Sequence, residues 1–261
     1  MKISNKIARH CHRVLYFLLA IAVPLLLPAQ ALAQPVTISA ASSLTDAFQT
    51  LAKGFEAVHP GAKVRLNFAA SGVLLQQLAQ GAPVDVFASA DQDTMDRAVK
   101  QKWVDAATRR DFAANELVLV EPATGGVALR TLQDLYRPAV RRIAVGKPAT
   151  VPVGRYTRQA LESAGLWAAL APRMVQADNV RQVLDYVARG EVEAGFVYRT
   201  DAVAIPAKVR VVLVVAGHDR VRYPVAVATD APQQALAQAF AAYLLAPAAQ
   251  EILARHGFGK P

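Results

Sequence analysis

The stretch VTISAASSLT, residues Val36–Thr45, joins a short apolar segment to a segment with helical periodicity. We predict a strand over 36–41 and an amphipathic helix over 44–58. A hydroxyl residue at this junction lies where a helix leaves its first backbone N–H groups without partners. Such a helix start also suits an anion, because its free donors and its dipole point the same way.

Strands and helices alternate along most of the remaining chain. The further predicted strands are 64–69, 84–87, 117–120, 143–145, 194–198, 209–215 and 222–228, and the further helices are 72–80, 92–100, 154–164, 180–188, 232–245 and 247–256. This alternation predicts an α/β protein with parallel sheets covered by helices on both faces.

The chain is expected to form two α/β lobes. No Pro/Gly/Ser-rich linker separates the block before residue 115 from the block that starts near 116, whereas tethered independent domains usually have one. We therefore expect the chain to cross between the lobes on ordered strands, at 115–120 going out and at 223–227 coming back. Two short crossings make a two-strand hinge with a ligand cleft between the lobes.

The first 33 residues have the pattern of a signal peptide. Four basic residues precede an apolar segment at 14–28, and Ala31-Leu32-Ala33 forms a small-x-small cleavage site before Gln34. An uncleaved membrane anchor is the alternative, but the apolar run is short for a span. The sequence predicts export to the periplasm.

Removal of the predicted signal peptide leaves 228 residues with 25 Lys and Arg against 20 Asp and Glu, a net charge of +5. The chain's single cysteine, Cys11, lies in the removed part. The rest of the chain therefore has no disulfide, thiolate metal site or cysteine nucleophile. Its basic residues are scattered, which argues against nucleic-acid binding, although the mild positive charge could steer small anions.

Four junctions between a predicted strand or loop and a predicted helix could bind an anion. They are 41–44 with Ser42 and Ser43, 69–72 with Ser71, 151–156 with Val153, and 177–181 with Val180. Each junction alone is most often an ordinary helix start with a capping residue. A phenol at the end of a strand, Tyr198, could add one donor, although local packing is its commoner role.

Motifs for catalysis are missing from the sequence. There is no Gly-x-Ser-x-Gly elbow, phosphate-binding loop or dinucleotide glycine pattern. His59, His218 and His256 lack metal-ligand spacing. A secreted serine hydrolase remains an alternative because the chain has serines and histidines, but nothing places a base beside a nucleophile. We predict a binding protein without catalytic residues, cofactor or bare metal ion.

Several segments, taken in order, resemble the periplasmic molybdate-binding proteins of ABC importers, the ModA family. They are 41–45 (ASSLT), 81–91 (GAPVDVFASAD), 151–154 (VPVG), 179–181 (NVR), 197–198 (VY), 201–202 (DA) and 223–227 (YPVAV). The resemblance implies the type II periplasmic binding protein fold, with lobe I at 34–115 and 224–261 and lobe II at 116–223. It also implies delivery of molybdate or tungstate to a membrane permease by a monomer.

The resemblance further implies the residues that bind the oxyanion. They are the hydroxyls of Ser43, Ser71 and Tyr198 and the backbone amides of Val153 and Val180, with the amides of the two serines as possible additions. Two positions depart from some relatives: valine replaces alanine at 153, and asparagine replaces aspartate at 179. Asp85 is expected to be a structural carboxylate outside the site.

The donor set constrains the ligand. Molybdate at neutral pH is a deprotonated dianion whose oxygens only accept hydrogen bonds, whereas monohydrogen phosphate carries an O–H that needs an acceptor. Sulfate or thiosulfate fits the same donors and remains the alternative among binding proteins. The preference for molybdate over sulfate rests on the resemblance.

Overall fold

The computed structural model describes residues 34–261, so the predicted signal peptide lies outside the described residues. The strands are β1 Val36–Ala41, β2 Val64–Ala69, β3 Val86–Ala88, β4 Arg110–Ala114, β5 Leu117–Pro122, β6 Ile143–Gly146, β7 Met174–Ala177, β8 Ala194–Tyr198, β9 Val209–Val214 and β10 Arg222–Val227. The α-helices are α1 Thr45–Val58, α2 Ser71–Ala79, α3 Gln92–Lys100, α4 Pro152–Ser163, α5 Trp167–Leu170, α6 Val180–Ala188, α7 Arg199–Ala204, α8 Gln234–Tyr243 and α9 Pro247–Arg255. Short 3-10 helices lie at Ser42–Leu44, Ala106–Thr108, Leu132–Tyr136 and Ala171–Arg173.

The strands form two five-stranded sheets, which confirms the predicted α/β class. The first has the order β2-β1-β3-β10-β4 and the second the order β7-β6-β8-β5-β9. The expectation of parallel sheets is confirmed only in part, because both sheets are mixed: β1 pairs in parallel with β2 and β3, and β6 pairs in parallel with β7 and β8. In the first sheet β10 runs antiparallel to β3 and β4, and in the second β5 runs antiparallel to β8 and β9. These two strands directly follow the passages between sheets, so neither enters its sheet through a βαβ crossover, the connection that makes neighbouring strands parallel.

The two passages between the sheets lie side by side. Asn115 N–H donates to Val221 O at 3.1 Å, and Val215 N–H donates to Leu117 O at 2.9 Å. The outgoing passage is the short link between β4 and β5, inside the predicted crossing at 115–120. The return passage precedes β10, which already belongs to the first sheet, so it lies before the predicted crossing at 223–227. The lobe limits at 115/116 and 223/224 stay a prediction.

Most predicted elements are present, and four regular elements were missed. The predicted bounds of β1, β2, β8, α3 and α6 agree with the structure. The missed elements are β4, β7, α5 and α7. The segment RDFAA of β4 has little β-branched character, and its strand forms through antiparallel pairing with β10. The helices α5 and α7 have four and six residues, too few to show a periodicity.

Aromatic packing fixes the position of α1 on the first sheet. Phe48 and Phe55 on its buried face are fully enclosed. Phe48 lies 5.8 Å from Phe112 of β4, and both α1 phenylalanines contact Phe240 of α8 edge-on, at 6.0 and 5.2 Å between centroids. This contact holds the start of α1, with the turn Ser42–Leu44, at the end of β1.

A close backbone approach fixes the start of α4 in the second sheet. A Cβ at Gly154 would lie 1.9 Å from Gly146 O at the end of β6. Only glycine permits this packing of helix against strand. Pro152 occupies the first helical position, as expected for a helix start that needs no N–H there.

Candidate functional site

The four predicted junctions all lie at helix starts, but the serines are not N-caps. The caps before Ser42–Leu44, α2 and α4 are Ala41, Ala70 and Val151, and none forms a side-chain cap. The fourth helix, α6, is capped by Asn179, whose side chain accepts from Gln182 N–H at 3.0 Å. Ser43 and Ser71 lie just inside their helices, so their hydroxyls do not serve as caps.

Ser43 is buried beside Tyr223, a residue whose only predicted role was in the crossing strand at 223–227. Its Oγ lies 3.0 Å from the hydroxyl of Tyr223, where either atom can donate. Asn115 Nδ2 donates to the same Tyr223 hydroxyl at 3.2 Å. Since the phenol accepts from Asn115, its own proton can go to Ser43 Oγ. The proton of Ser43 is then free for a ligand.

Ser71 is fully buried and its oxygen also accepts a hydrogen bond. Ala90 N–H donates to Ser71 Oγ at 3.0 Å. The next residue, Gly72, donates its N–H to Thr150 O at 3.0 Å, and a Cβ there would lie 2.6 Å from that oxygen. The start of α2 therefore contacts the segment just before α4, the helix that carries Val153.

Tyr198 ends β8 with its hydroxyl buried. The hydroxyl has no hydrogen-bond partner in the described part of the chain, so the expectation that local packing satisfies it is wrong. Its ring packs edge-on against Tyr156 and Tyr223, with centroids 6.4 and 5.9 Å away. Burial raises the pKa of Tyr198 well above its usual value, so the group is a neutral phenol with a proton to donate.

Val153 and Val180 are buried in the first turns of α4 and α6. Backbone amides in a first helical turn have no partner within the helix. The helix α6 contacts the Ser42–Leu44 turn, while α4 follows the segment that meets α2. The five predicted residues thus lie at the boundary between the two sheets, with Ser43 and Tyr198 joined through Tyr223.

Two arginines at this boundary are paired with carboxylates. Arg181 Nη2 lies 2.8 Å from Asp46 Oδ2, and its Nε lies 2.9 Å from Asp201 Oδ1 without good hydrogen-bond alignment. Arg155 pairs with Asp91. Burial raises the pKa of Asp201 to about 6 against the opposing effect of Arg181. Since these two guanidinium groups face carboxylates, their charges are balanced within the protein.

A cavity of about 380 Å³ opens beside Ser43. Its polar lining includes Asp46, Arg181, Thr200 and His256. Within residues 34–261, no group of three His, Cys, Asp or Glu side chains is arranged to hold a metal ion. Over the same residues, no single helix is long and apolar enough to cross a membrane, although α8 and α9, bent by 64°, pass that test as a pair.

Asp85 is a structural carboxylate, as predicted. Its Oδ2 accepts from Thr37 N–H at 2.7 Å and its Oδ1 from Gln233 N–H at 2.6 Å. These bonds tie the start of β3 to β1 and to the segment before α8.

Sequence reasoning missed the contacts that support the candidate donors. Tyr223 contacts Ser43 from 180 residues away and Asn115 from 108, and Ala90 contacts Ser71 from 19 residues away. The available signal was a tyrosine in an otherwise apolar strand, since a buried phenol usually needs a partner.

Comparison with known proteins places the chain in a family. A family model for bacterial extracellular solute-binding proteins matches residues 36–259. The molybdate-binding protein ModA of Escherichia coli (strain K12) is 40% identical over 228 residues, covering 85% of this chain and 88% of that protein. The chain belongs to the ModA family of bacterial extracellular solute-binding proteins. A second ModA, from Mycobacterium tuberculosis (strain ATCC 25618 / H37Rv), is 38% identical over 88% of this chain and 86% of its own length.

Solved structures agree with membership of the ModA family. The substrate-binding domain of a putative molybdenum ABC transporter from Clostridium difficile has a TM-score of 0.67 and 34% identity, over 87% of this chain and 99% of that chain. The periplasmic molybdate-binding protein of Azotobacter vinelandii has a TM-score of 0.76 over the same shares, and at 24% identity it supports the fold.

Proposed function

We propose that this protein is the solute-binding component of an ABC importer that captures molybdate, and tungstate with it, for a membrane permease. One observation carries the proposal: three hydroxyls at the boundary between the sheets are buried with protons available to a ligand. Ser43 and Ser71 have oxygens that already take part in hydrogen bonds, and Tyr198 has no partner among residues 34–261. The names of the ModA relatives support molybdate as the ligand.

The donors suit a fully deprotonated oxyanion. An unpaired buried hydroxyl is costly, and a ligand oxygen that accepts its proton removes that cost. Monohydrogen phosphate would bring a donor of its own into a set of donors and would leave it unpaired. We propose that the amides of Val153 and Val180 complete the set, so that dipoles rather than a free cation counter the charge.

Capture follows from contacts on both lobes. Ser43 and Ser71 act from the first lobe, and Val153, Val180 and Tyr198 act from the second. A ligand that accepts hydrogen bonds from all five residues favours the closed arrangement over the open one, because only the closed arrangement brings the five donors together. We place this step in the periplasm, carried out by a monomer that hands the anion to the permease and uses no cofactor.

The hydrolase alternative lacks a catalytic pair. In the described residues, the rings of His59 and His218 contact main-chain oxygens, and His256 contacts Thr50. Ser43 and Ser71 instead contact Tyr223 and Ala90. A serine without an adjacent base is a weak nucleophile, and membership of a solute-binding family agrees with a binding role.

Titration calorimetry with molybdate, tungstate, sulfate and phosphate tests the proposal. We expect tight binding of molybdate and tungstate, weaker binding of sulfate and none of phosphate. Tight binding of sulfate without molybdate would make this a sulfate-binding protein. The fold of this chain is also that of the sulfate-binding protein SubI of Mycobacterium tuberculosis H37Rv. The TM-score is 0.76, with 18% identity over 86% of each chain.

A further inference from the structure

An arginine on α4 reaches from the second lobe to the first. Arg155 Nε donates to Asp91 Oδ2 at 2.7 Å, and its Nη2 donates to Thr94 Oγ1 at 2.7 Å. Asp91 is the N-cap of α3 and only 5% of its side chain is exposed. On its own side, Arg155 Nη1 donates to Pro148 O at 3.1 Å. The guanidinium therefore joins the start of α3 to the segment before α4.

A second arginine makes the corresponding connection from α6. Arg181 Nη2 donates to Asp46 Oδ2 at 2.8 Å, in the first turn of α1. On its own side it pairs with Asp201, which is fully buried. The pairing with Asp46 therefore depends on the position of the two lobes, whereas the pairing with Asp201 stays within the second.

The two ion pairs frame the candidate site. Arg155 follows Val153 by two residues and Arg181 directly follows Val180, so each proposed amide donor is next to one pair. The Asp91 charge contributes to the raised pKa of Tyr198. An unpaired carboxylate this close would repel a dianion, and pairing with an arginine cancels much of that repulsion.

We propose that the Arg155–Asp91 and Arg181–Asp46 pairs are latches that form on closure and set how long the cleft stays shut. Each pair closes only when the lobes meet, so its energy adds to the closed state alone. The latches also hide two carboxylates from the bound anion. The inference deepens the proposed function, because it assumes that the cleft closes on an oxyanion.

Two variants and two matched controls test the latches. Arg155→Gln removes the more buried latch, and Asp46→Asn removes the other without touching Asp201. Arg158→Gln is the first control, because Arg158 lies on the same helix and pairs at 2.7 Å with Glu162 inside that helix. Asp96→Asn is the second control, because Asp96 pairs with Arg109 within the first lobe at 2.6 Å.

The measurements are the molybdate dissociation rate, by stopped flow, and the closed fraction with and without molybdate. For the second, dyes are attached to cysteines that replace exposed Lys53 on α1 and exposed Ala168 on α5. Residues 34–261 contain no cysteine of their own, so these labels are the only ones. Fluorescence transfer between them reports closure.

We expect molybdate to leave about tenfold faster from Arg155→Gln, which loses a charge-assisted pair and a bond to Thr94. We expect molybdate to leave about threefold faster from Asp46→Asn, because the Arg181–Asp46 pair is more exposed. Both should lower the closed fraction, and both controls should behave as the wild type.

Unchanged release and closure in both variants would overturn the proposal. A lower melting temperature with unchanged closure would also overturn it, since that pattern marks a merely structural role. If molybdate, tungstate and sulfate all fail to bind the wild type, the proposed function fails. The latches are then judged on the ligand-free closed fraction, where equal values for wild type and variants would refute them.

Discussion

Tyr198→Phe separates binding from stability, because it removes only a buried hydroxyl that has no partner in the described residues. The ring keeps its packing against Tyr156 and Tyr223. A hydrogen bond to a charged group contributes about 1.5–3 kcal/mol. We therefore expect molybdate affinity to fall by about 10- to 150-fold.

The stability of the ligand-free protein should not fall in Tyr198→Phe. An unpaired buried hydroxyl is unfavourable, so we expect the free energy of unfolding of Tyr198→Phe to be unchanged or higher by up to about 1 kcal/mol. The matched control is Tyr223→Phe, in the same aromatic cluster. Its hydroxyl contacts Ser43 and Asn115, so its loss should cost about 1–3 kcal/mol of stability.

Urea unfolding with and without molybdate measures both quantities. A ligand at about 100 times its wild-type Kd adds about 2.7 kcal/mol to the free energy of unfolding. For Tyr198→Phe at the same concentration, the expected addition is about 0.3–1.4 kcal/mol. Wild-type affinity in Tyr198→Phe would refute the assignment of the phenol as a donor. A large loss of ligand-free stability would refute the unpaired state of the hydroxyl.

Three further outcomes are expected. Ser43→Ala and Ser71→Ala should each weaken molybdate binding by about 1.5–3 kcal/mol in calorimetry, and unchanged affinity in both would show that the site lies elsewhere. Gly72→Ala should bind molybdate about tenfold or more weakly, because its Cβ would lie 2.6 Å from Thr150 O. We propose that Gly72 and Thr150 meet on closure, so ligand-free stability should be kept; equal closure by small-angle scattering would contradict this. Burial raises the pKa of Asp201 to about 6, above about 3.9 in an unfolded chain. The protonated Asp201 therefore adds its full stabilisation at low pH, and this stabilisation is lost as pH rises through 6. The free energy of unfolding of the wild type should fall by up to about 3 kcal/mol relative to that of Asp201→Asn between about pH 4 and pH 7. Parallel profiles of unfolding free energy against pH for the two proteins would contradict the raised pKa.

The local sequence pattern was enough to predict most helices and strands. The run Val36–Ala41 and the periodicity of 92–100 and 180–188 gave elements whose bounds the structure confirms. The direction of β5 and β10 was not readable, because strand direction depends on which sheet a strand enters. The strand β4 was missed because its pairing partner, β10, lies more than 100 residues away.

The candidate donors were readable from sequence because strand-to-helix junctions have local signatures, and the resemblance to a family selected five residues among them. Their supporting contacts were not readable. Tyr223 lies 180 residues from Ser43, and Arg155 lies 64 residues from Asp91. No local pattern links such pairs.

The sequence by itself determined the α/β class, the four junctions at which helices begin beside the candidate donors, and the residue types that can donate hydrogen bonds to an anion, since each depends on neighbours along the chain. The tertiary structure alone decided which protons are free. Ser71 accepts from a backbone amide, Ser43 is paired with Tyr223, and Tyr198 is left without a partner in the described residues. The physical reason is that a hydroxyl's availability depends on what surrounds it after burial, and folding brings those surroundings from distant segments.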